Sequence, residues 1–213
     1  MINFDVEREK MVRRQLKGRD ITNQKVLNAM QAVPREKFVK DGMEDRAYHD
    51  SALPIGADQT ISQPYVVALT IQALDPGEED VILDIGTGSG YAAAVAAEIA
   101  NSVMSVERIE SLYNFAKSNL EEAGITNVQL RHGDGSRGWP EHAPYDGIMV
   151  AAASSDVPES LKDQLKENGK LVIPVGSGLM GQQLRRYTKH EDGSFTQDNI
   201  AGVRFVPLVS GKD

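Results

Sequence analysis

The stretch VILDIGTGSGY, from Val81 to Tyr91, decides how this chain folds. Four of its first five residues are apolar, so 81–85 reads as a buried strand. The turn Gly86-Thr87-Gly88-Ser89-Gly90 follows, and the alanine-rich segment 91–100 reads as a helix. Glycine has no Cβ, so a strand, glycine turn and helix in succession let backbone N–H groups approach a ligand closely. A second apolar segment, 103–106, ends in Glu107, 17 residues beyond Gly90. An acid at about that distance is placed to accept hydrogen bonds from ribose hydroxyls. Together these features predict a nucleoside-binding βαβ unit.

The spacing of the glycines discriminates among nucleotide sites. A dinucleotide fingerprint asks for a small residue at position 91, where this chain has Tyr91. No Gly-Lys-Ser/Thr follows, so a P-loop is excluded. The pattern G-x-G-x-G with Asp84 at the strand end instead resembles motif I of the S-adenosylmethionine (AdoMet) methyltransferases. That resemblance implies cofactor contacts from Asp84, Gly86, Thr87, Gly88 and Gly90.

Composition narrows the remaining classes. A length of 213 residues suits one α/β domain with an ample core. The formal net charge of −8 argues against a general polyanion binder, so no nucleic-acid partner is expected. The absence of cysteine removes disulfides, thiol nucleophiles and cysteine-based metal sites, and no metal is expected. The N-terminal MINFDVEREK is charged and has no apolar core of a signal peptide. The segment 91–100 is too short for a membrane span and contains Glu98. A cytoplasmic monomer is the expectation.

Taken in order, 5–17 predicts a helix with Met11, Val12 and Leu16 on one side and Gly18 as its C-terminal stop. Thr22 is a candidate N-cap for a second helix carrying Val26, Leu27, Met30 and Val33, ended by Pro34. A short helical piece is expected at 36–40. Residues 48–61 break the periodicity and read as a long irregular connection, a common setting for function. Ser62 sits where an N-cap belongs, before a helix at 66–74 that Pro76-Gly77 stops. Helices at 109–123 and 157–167 alternate with strands at 128–132, 147–152 and 170–175. The remainder, 182–188 and then 203–209 past a turn at 191–193, has hairpin character. The fold class is therefore α/β: a Rossmann-like, mostly parallel doubly wound sheet with antiparallel C-terminal strands and an N-terminal helical layer. The order of the last strands stays open. The expected division is one domain over 1–213, with a helical layer at 1–47, an active-site loop at 48–65 and the AdoMet-binding core at 66–213.

Several longer stretches point further. LPIGADQTISQPY (Leu53 to Tyr65), LDIGTGSGY (Leu83 to Tyr91), SVERI (Ser105 to Ile109), GDG followed by GWPEHAPYD (Gly133 to Asp146), LVIPVG (Leu171 to Gly176) and RFVPL (Arg204 to Leu208) resemble protein-L-isoaspartate (D-aspartate) O-methyltransferases. AVPREKFV (Ala32 to Val39) is similar as well. The likeness runs over nearly the whole chain, and the first stretch is the most diagnostic. It implies methyl transfer from AdoMet to the α-carboxyl of isoaspartyl residues in damaged proteins, whose ester then cyclises to a succinimide. By position, Ser62 matches the active-site residue, Gln59 and Thr60 the loop over the cofactor, and Glu107 the ribose-binding acid. Asp134 and Gly135 match the adenine-side contact. Two departures stand out: Asp58 where many members have glycine, and Ala151-Ala152-Ala153 in place of Thr-Ala-Ala.

The chemistry implied suits this residue inventory. A carboxylate of pKa roughly 3 to 4 is ionised at neutral pH, so no general base is needed. His49, His132, His142 and His190 are then structural or surface residues, and the rate should stay flat from about pH 6 to 8. Should it not, His49 beside the motif loop is the first candidate. A helix N-terminus beginning at Ser62 would supply free N–H groups to hold the acceptor carboxylate. Three alternatives remain open on the residues alone: a methyltransferase of RNA or small molecules, a non-catalytic AdoMet-binding protein, and an NAD-dependent oxidoreductase, the last disfavoured by Tyr91.

Overall fold

Strands Val81–Ile85, Ser102–Glu107 and Tyr145–Val150 are buried along almost their whole length. Burial on both faces is what a parallel sheet gives its central strands, and these three lie side by side at its centre. The structure, a computed structural model, describes residues 2–176 and 181–211. Residues 1, 177–180 and 212–213 of the expected 1–213 domain lie outside the described residues.

In chain order the elements are α1 (Phe4–Met11), α2 (Gln24–Ala32), β1 (Leu53–Gly56), β2 (Gln59–Ile61), α3 (Pro64–Leu74), β3 (Val81–Ile85), α4 (Tyr91–Ala97), β4 (Ser102–Glu107), α5 (Glu110–Ala123) and β5 (Val128–His132). There follow β6 (Tyr145–Val150), α6 (Glu159–Asp163), β7 (Leu165–Val175), β8 (Gln182–Lys189) and β9 (Phe195–Val203). The seven-stranded sheet runs β5-β4-β3-β6-β7-β8-β9. Pairing is parallel from β5 to β7 and antiparallel through β8 and β9, which fixes the order that the sequence leaves open.

Period-two alternation sorts the central strands between two cores. Ile82 and Val103 join the core that also contains Met30, Phe38, Ile71 and Tyr91, while Leu83, Ile85, Met104 and Val106 pack with Tyr145, Leu161 and Leu171. Asp84 and Ser105 therefore share the face covered by α3 and α4, and they are register partners. The order of chain reversal between β3 and β6 puts the glycine turn at the sheet's topological switch point, where open α/β sheets bind ligands.

Several local expectations are corrected. The first helix passes at Val12 into a π-helical turn that ends at Leu16. Gly18 does not adopt a positive φ; it is small because a Cβ there would meet the Arg14 carbonyl oxygen at 2.7 Å. The second helix is capped by Asn23, whose side chain accepts from Lys25 N and Val26 N, because the backbone N–H groups of Thr22 and Asn23 both donate to Gln72. The 157–167 helix shrinks to α6. Tyr145 N–H takes its acceptor from the Gln164 carbonyl, which pulls Leu165 into the sheet, and Asn168 then turns the chain at φ 62°. Strand β9 ends at Val203, and 204–209 does not extend the hairpin: Pro207 bridges to Ala153 instead.

Residues 53–61 are not irregular. β1 and β2 form an antiparallel hairpin with Leu53 opposite Ile61, closed by Ala57 and Asp58 at φ 49° and 56°. Two consecutive positive φ values are the demand of a type I′ turn, which Ala-Asp does not advertise as Asn-Gly does. Asp58 thus occupies the left-handed region, as a position filled by glycine elsewhere requires.

Candidate active site

Three segments meet over the carboxyl ends of β3 and β4. The glycine turn holds positive φ at Gly86 (87°), Gly88 (57°) and Gly90 (90°). Gly90 starts α4 and does not line the cavity; a Cβ there would press on Leu120 of α5 at 3.2 Å. The β1–β2 hairpin leans over the turn, so that Ile55 Cδ1 would lie 3.2 Å from a Cβ on Gly88. The third segment is C-terminal, Val206 to Val209, brought across by the Ala153–Pro207 bridge.

Between them lies a cavity of about 360 Å³, within the usual range for a cofactor site. Of the expected contacts it is lined by Gln59, Thr60, Ser62, Gly86, Thr87, Gly88, Glu107 and Gly135. Glu107 is buried at its mouth, with Oε2 accepting from Gly88 N and Oε1 from Ile109 N, both at 2.9 Å. Each oxygen keeps a second lone pair, and a diol is the kind of donor that fits. Gly135 lies so close to Ile85 that a Cβ would come within 2.5 Å of Cγ2.

Asp134 does not line the cavity. Its Oδ1 accepts from Ser136 N and Oγ and its Oδ2 from Gly211 N, bonds that outweigh burial and hold its pKa below the usual carboxylate range. It caps the turn that presents Gly135. Asp84 is also off the cavity, beneath the turn. Its Oδ2 accepts from Ser105 Oγ at 2.6 Å, and Ser105 Oγ lies 2.5 Å from Thr87 Oγ1. Burial is the main cause that pushes the Asp84 carboxyl up to about 7, with Glu107 adding to it and the Ser105 bond opposing it.

Ser62 is half-buried at a junction. A second, more open cleft of about 750 Å³ lies between the N-terminal layer and β8–β9, reaching Arg19, Tyr65, Gln182 and Arg204. The two cavities share Thr60, Ser62, Ala151 and Val206 as their common wall. Ser62 is not a helix cap. α3 starts at Pro64, Gln63 is the N-cap without a side-chain bond, and the first free N–H, that of Tyr65, donates to Asp50 Oδ1 at 3.2 Å. An aspartate of this chain already holds the helix end proposed for the acceptor.

The sequence reading missed two parts of this site. Val206 to Val209 form a wall of the cavity, although RFVPL carries the only advance signal of them. Arg35 is fully buried and donates from Nε to the Ala47 carbonyl (2.7 Å) and from Nη2 to the Ser62 carbonyl (2.8 Å), its guanidinium 4.7 Å from the Tyr91 ring centre. No histidine lines either cavity.

A switch-point cavity with a left-handed glycine turn and a buried acid at the end of the neighbouring strand fits the class of AdoMet-dependent methyltransferases. A family model of the "Protein-L-isoaspartate(D-aspartate) O-methyltransferase (PCMT)" matches residues 6–213, and the chain belongs to that family. It is 49% identical over 210 residues to protein-L-isoaspartate O-methyltransferase 2 of Pelobacter propionicus, covering 99% of this chain and 93% of the relative. A solved protein-L-isoaspartate O-methyltransferase superposes with a TM-score of 0.86 at 31% identity, covering 95% of this chain and 66% of that one. A second, from Plasmodium falciparum and described as putative and in complex with S-adenosyl-L-homocysteine, gives 0.82 at 28% identity over 99% of this chain and 100% of its own. This chain is therefore a protein-repair methyltransferase that uses AdoMet and acts on isoaspartyl residues of damaged proteins.

Proposed function

We propose that the 360 Å³ cavity holds AdoMet, that the open cleft admits the damaged peptide, and that Ser62 aligns the acceptor carboxylate between them. The observation that carries this reading is the shared wall, with Ser62 exposed to both spaces. Bound AdoMet supplies a methyl group from a cationic sulfonium. The chain's residues bind and orient. Glu107 takes the ribose hydroxyls on the lone pairs left by Gly88 N and Ile109 N. Gly86, Thr87 and Gly88 let backbone come close, Gln59 and Thr60 cover the cofactor from the hairpin, and Asp134 fixes Gly135 at the adenine end. Asp84 supports the turn from below through Ser105 and Thr87.

The acceptor is already an anion, and its charge and that of the sulfonium cancel as the bond forms. Desolvating and aligning them is the main task, in the manner of a near-attack arrangement. Ser62 Oγ makes no hydrogen bond to a described residue, so its O–H is available to the acceptor. One chain supplies both cavities, which supports action as a monomer, and a cysteine-free chain is compatible with the cytoplasm. Among the described residues no helix is long and apolar enough to cross a membrane. The test is methyl transfer from labelled AdoMet to paired peptides that differ only in isoaspartyl or L-aspartyl linkage. Methylation confined to the isoaspartyl peptide is expected, because the extra backbone methylene relocates the reacting carboxylate.

A further inference from the structure

A third space lies behind Ser62. It is a small, partly open pocket of about 30 Å³ between α3, α4, β3, β6 and Phe205, and almost all of its wall is apolar: Val67, Ile71, Ala92 and Met149 among others. Among the described residues that line it, three have polar side chains: Ser62, Thr70 and Asp84. Asp84 is 1% exposed, its Oδ2 is held by Ser105, and its Oδ1 is buried with no hydrogen-bond partner. The hydroxyls of Ser62 and Thr70 likewise bond to no described residue.

A buried acceptor of this kind is destabilising unless something satisfies it. A space must exceed about 10–15 Å³ and offer two to four polar partners to hold a water. The pocket meets the first condition, and Asp84, Thr70 and Ser62 on its wall are the partners it offers for the second. We infer that Asp84 and Thr70, through one water held between them, set the orientation of the Ser62 hydroxyl, which makes both positioning residues of methyl transfer. The inference rests on the reading of Ser62 as the group that meets the acceptor.

The donor count gives the bridge a direction. An ionised Asp84 can only accept, so the water spends one hydrogen on Oδ1 and the other on Ser62 Oγ, and it accepts the Thr70 hydroxyl. Ser62's own O–H is then left pointing away from the protein interior, toward the junction where the acceptor carboxylate arrives. Glu107 at the end of β4 is the charged group whose field reaches Asp84; α3, α4 and β6 present to it Thr70, Ile71, Ala92, Met149 and Val150, none of them charged.

The test is a double-mutant cycle on the full chain. Thr70→Val and Asp84→Asn are each made alone and combined with Ser62→Ala, with melting temperature and AdoMet affinity measured alongside. Single-turnover rates are read on an isoaspartyl peptide at saturating AdoMet. Thr70→Val, which keeps side-chain shape, is expected to lower the rate about 5- to 20-fold without changing peptide KM or AdoMet binding, and Thr70→Ser to restore it. Asp84→Asn is expected to lower the rate comparably. In the Ser62→Ala background, itself slower by on the order of 100-fold, neither change should matter further. Full rates for Thr70→Val and Asp84→Asn beside a slow Ser62→Ala would overturn the bridge and leave the Ser62 reading standing. Equal losses in both backgrounds would also overturn it, since the residues would then act independently of Ser62. A Ser62→Ala enzyme at full rate would remove the Ser62 reading and the bridge together.

Discussion

The buried guanidinium of Arg35 donates to the carbonyl oxygen of Ser62 at 2.8 Å, tying the N-terminal helical layer to the residue between the two cavities. The same side chain reaches Ala47, and no carboxylate of the described residues pairs with it. Burial lowers its pKa to about 10, so it remains a cation at neutral pH, held by carbonyl dipoles and the Tyr91 face.

Arg35→Lys should therefore lower both stability and turnover. A lysine ammonium is a point donor and cannot span the Ala47 and Ser62 carbonyls as the planar fork does. The expected loss is roughly 2–4 kcal/mol, from two charge-assisted bonds weakened in a buried setting. Urea denaturation measures it. Turnover assayed well below the variant's melting temperature should still fall, because Ser62 loses its backbone anchor.

Gly88→Val should abolish measurable AdoMet binding at micromolar concentrations. The residue sits at φ 57°, a strained conformation for a β-branched side chain, and its Cβ would meet Ile55 at 3.2 Å. Its N–H also donates to Glu107, so a shift of the turn would disturb that contact as well. Calorimetry with AdoMet reads the loss directly.

Ala57→Gly should stabilise the protein by about 0.5–1.5 kcal/mol, since alanine at φ 49° bears a left-handed penalty that glycine does not. A higher melting temperature with AdoMet affinity unchanged is the expected result.

The strand, glycine turn and acid were legible because periodicity and residue type alone specify them: Asp84, Gly88 and Glu107 stand where 81–107 predicts a βαβ unit. The long-range partners were not. Nothing local in Ala32 to Val39 says that Arg35 crosses to Ser62, and nothing local in 204–209 says that the chain folds over the cavity beside the glycine turn instead of pairing. The hairpin at 53–61 escaped because Ala-Asp is an unusual filling for its turn. Ser62 was misread as a cap because a serine before a helix satisfies that pattern, whereas the helix begins two residues later and Asp50 from outside holds its N-terminus.

Asp84 revises the expected flat pH profile. Its pKa is raised to about 7 in the folded chain from an ordinary carboxylate value of 3.8. A raised acid stabilises fully below its unfolded value, and that contribution disappears as pH rises through the folded value. The ligand-free wild type should thus lose stability between pH 5 and 8 relative to Asp84→Asn, in paired thermal melts. Single-turnover rates should rise through pH 7 in the wild type, as Asp84 becomes an acceptor, and stay flat in Asp84→Asn. His49 is exposed and lines neither cavity, so His49→Gln should leave the profile unchanged.

The central claim is that Ser62 aligns the acceptor carboxylate, and the single-turnover rate of Ser62→Ala on an isoaspartyl peptide at saturating AdoMet tests it most directly. Because Ser62 caps no helix, the variant should melt within about 1 °C of the wild type and bind AdoMet equally well. Its rate is predicted to fall on the order of 100-fold, the usual loss of one preorganised donor. A folded, AdoMet-binding Ser62→Ala enzyme that transfers the methyl group within about 2-fold of the wild-type rate would contradict the account, being worth no more than a fraction of one hydrogen bond.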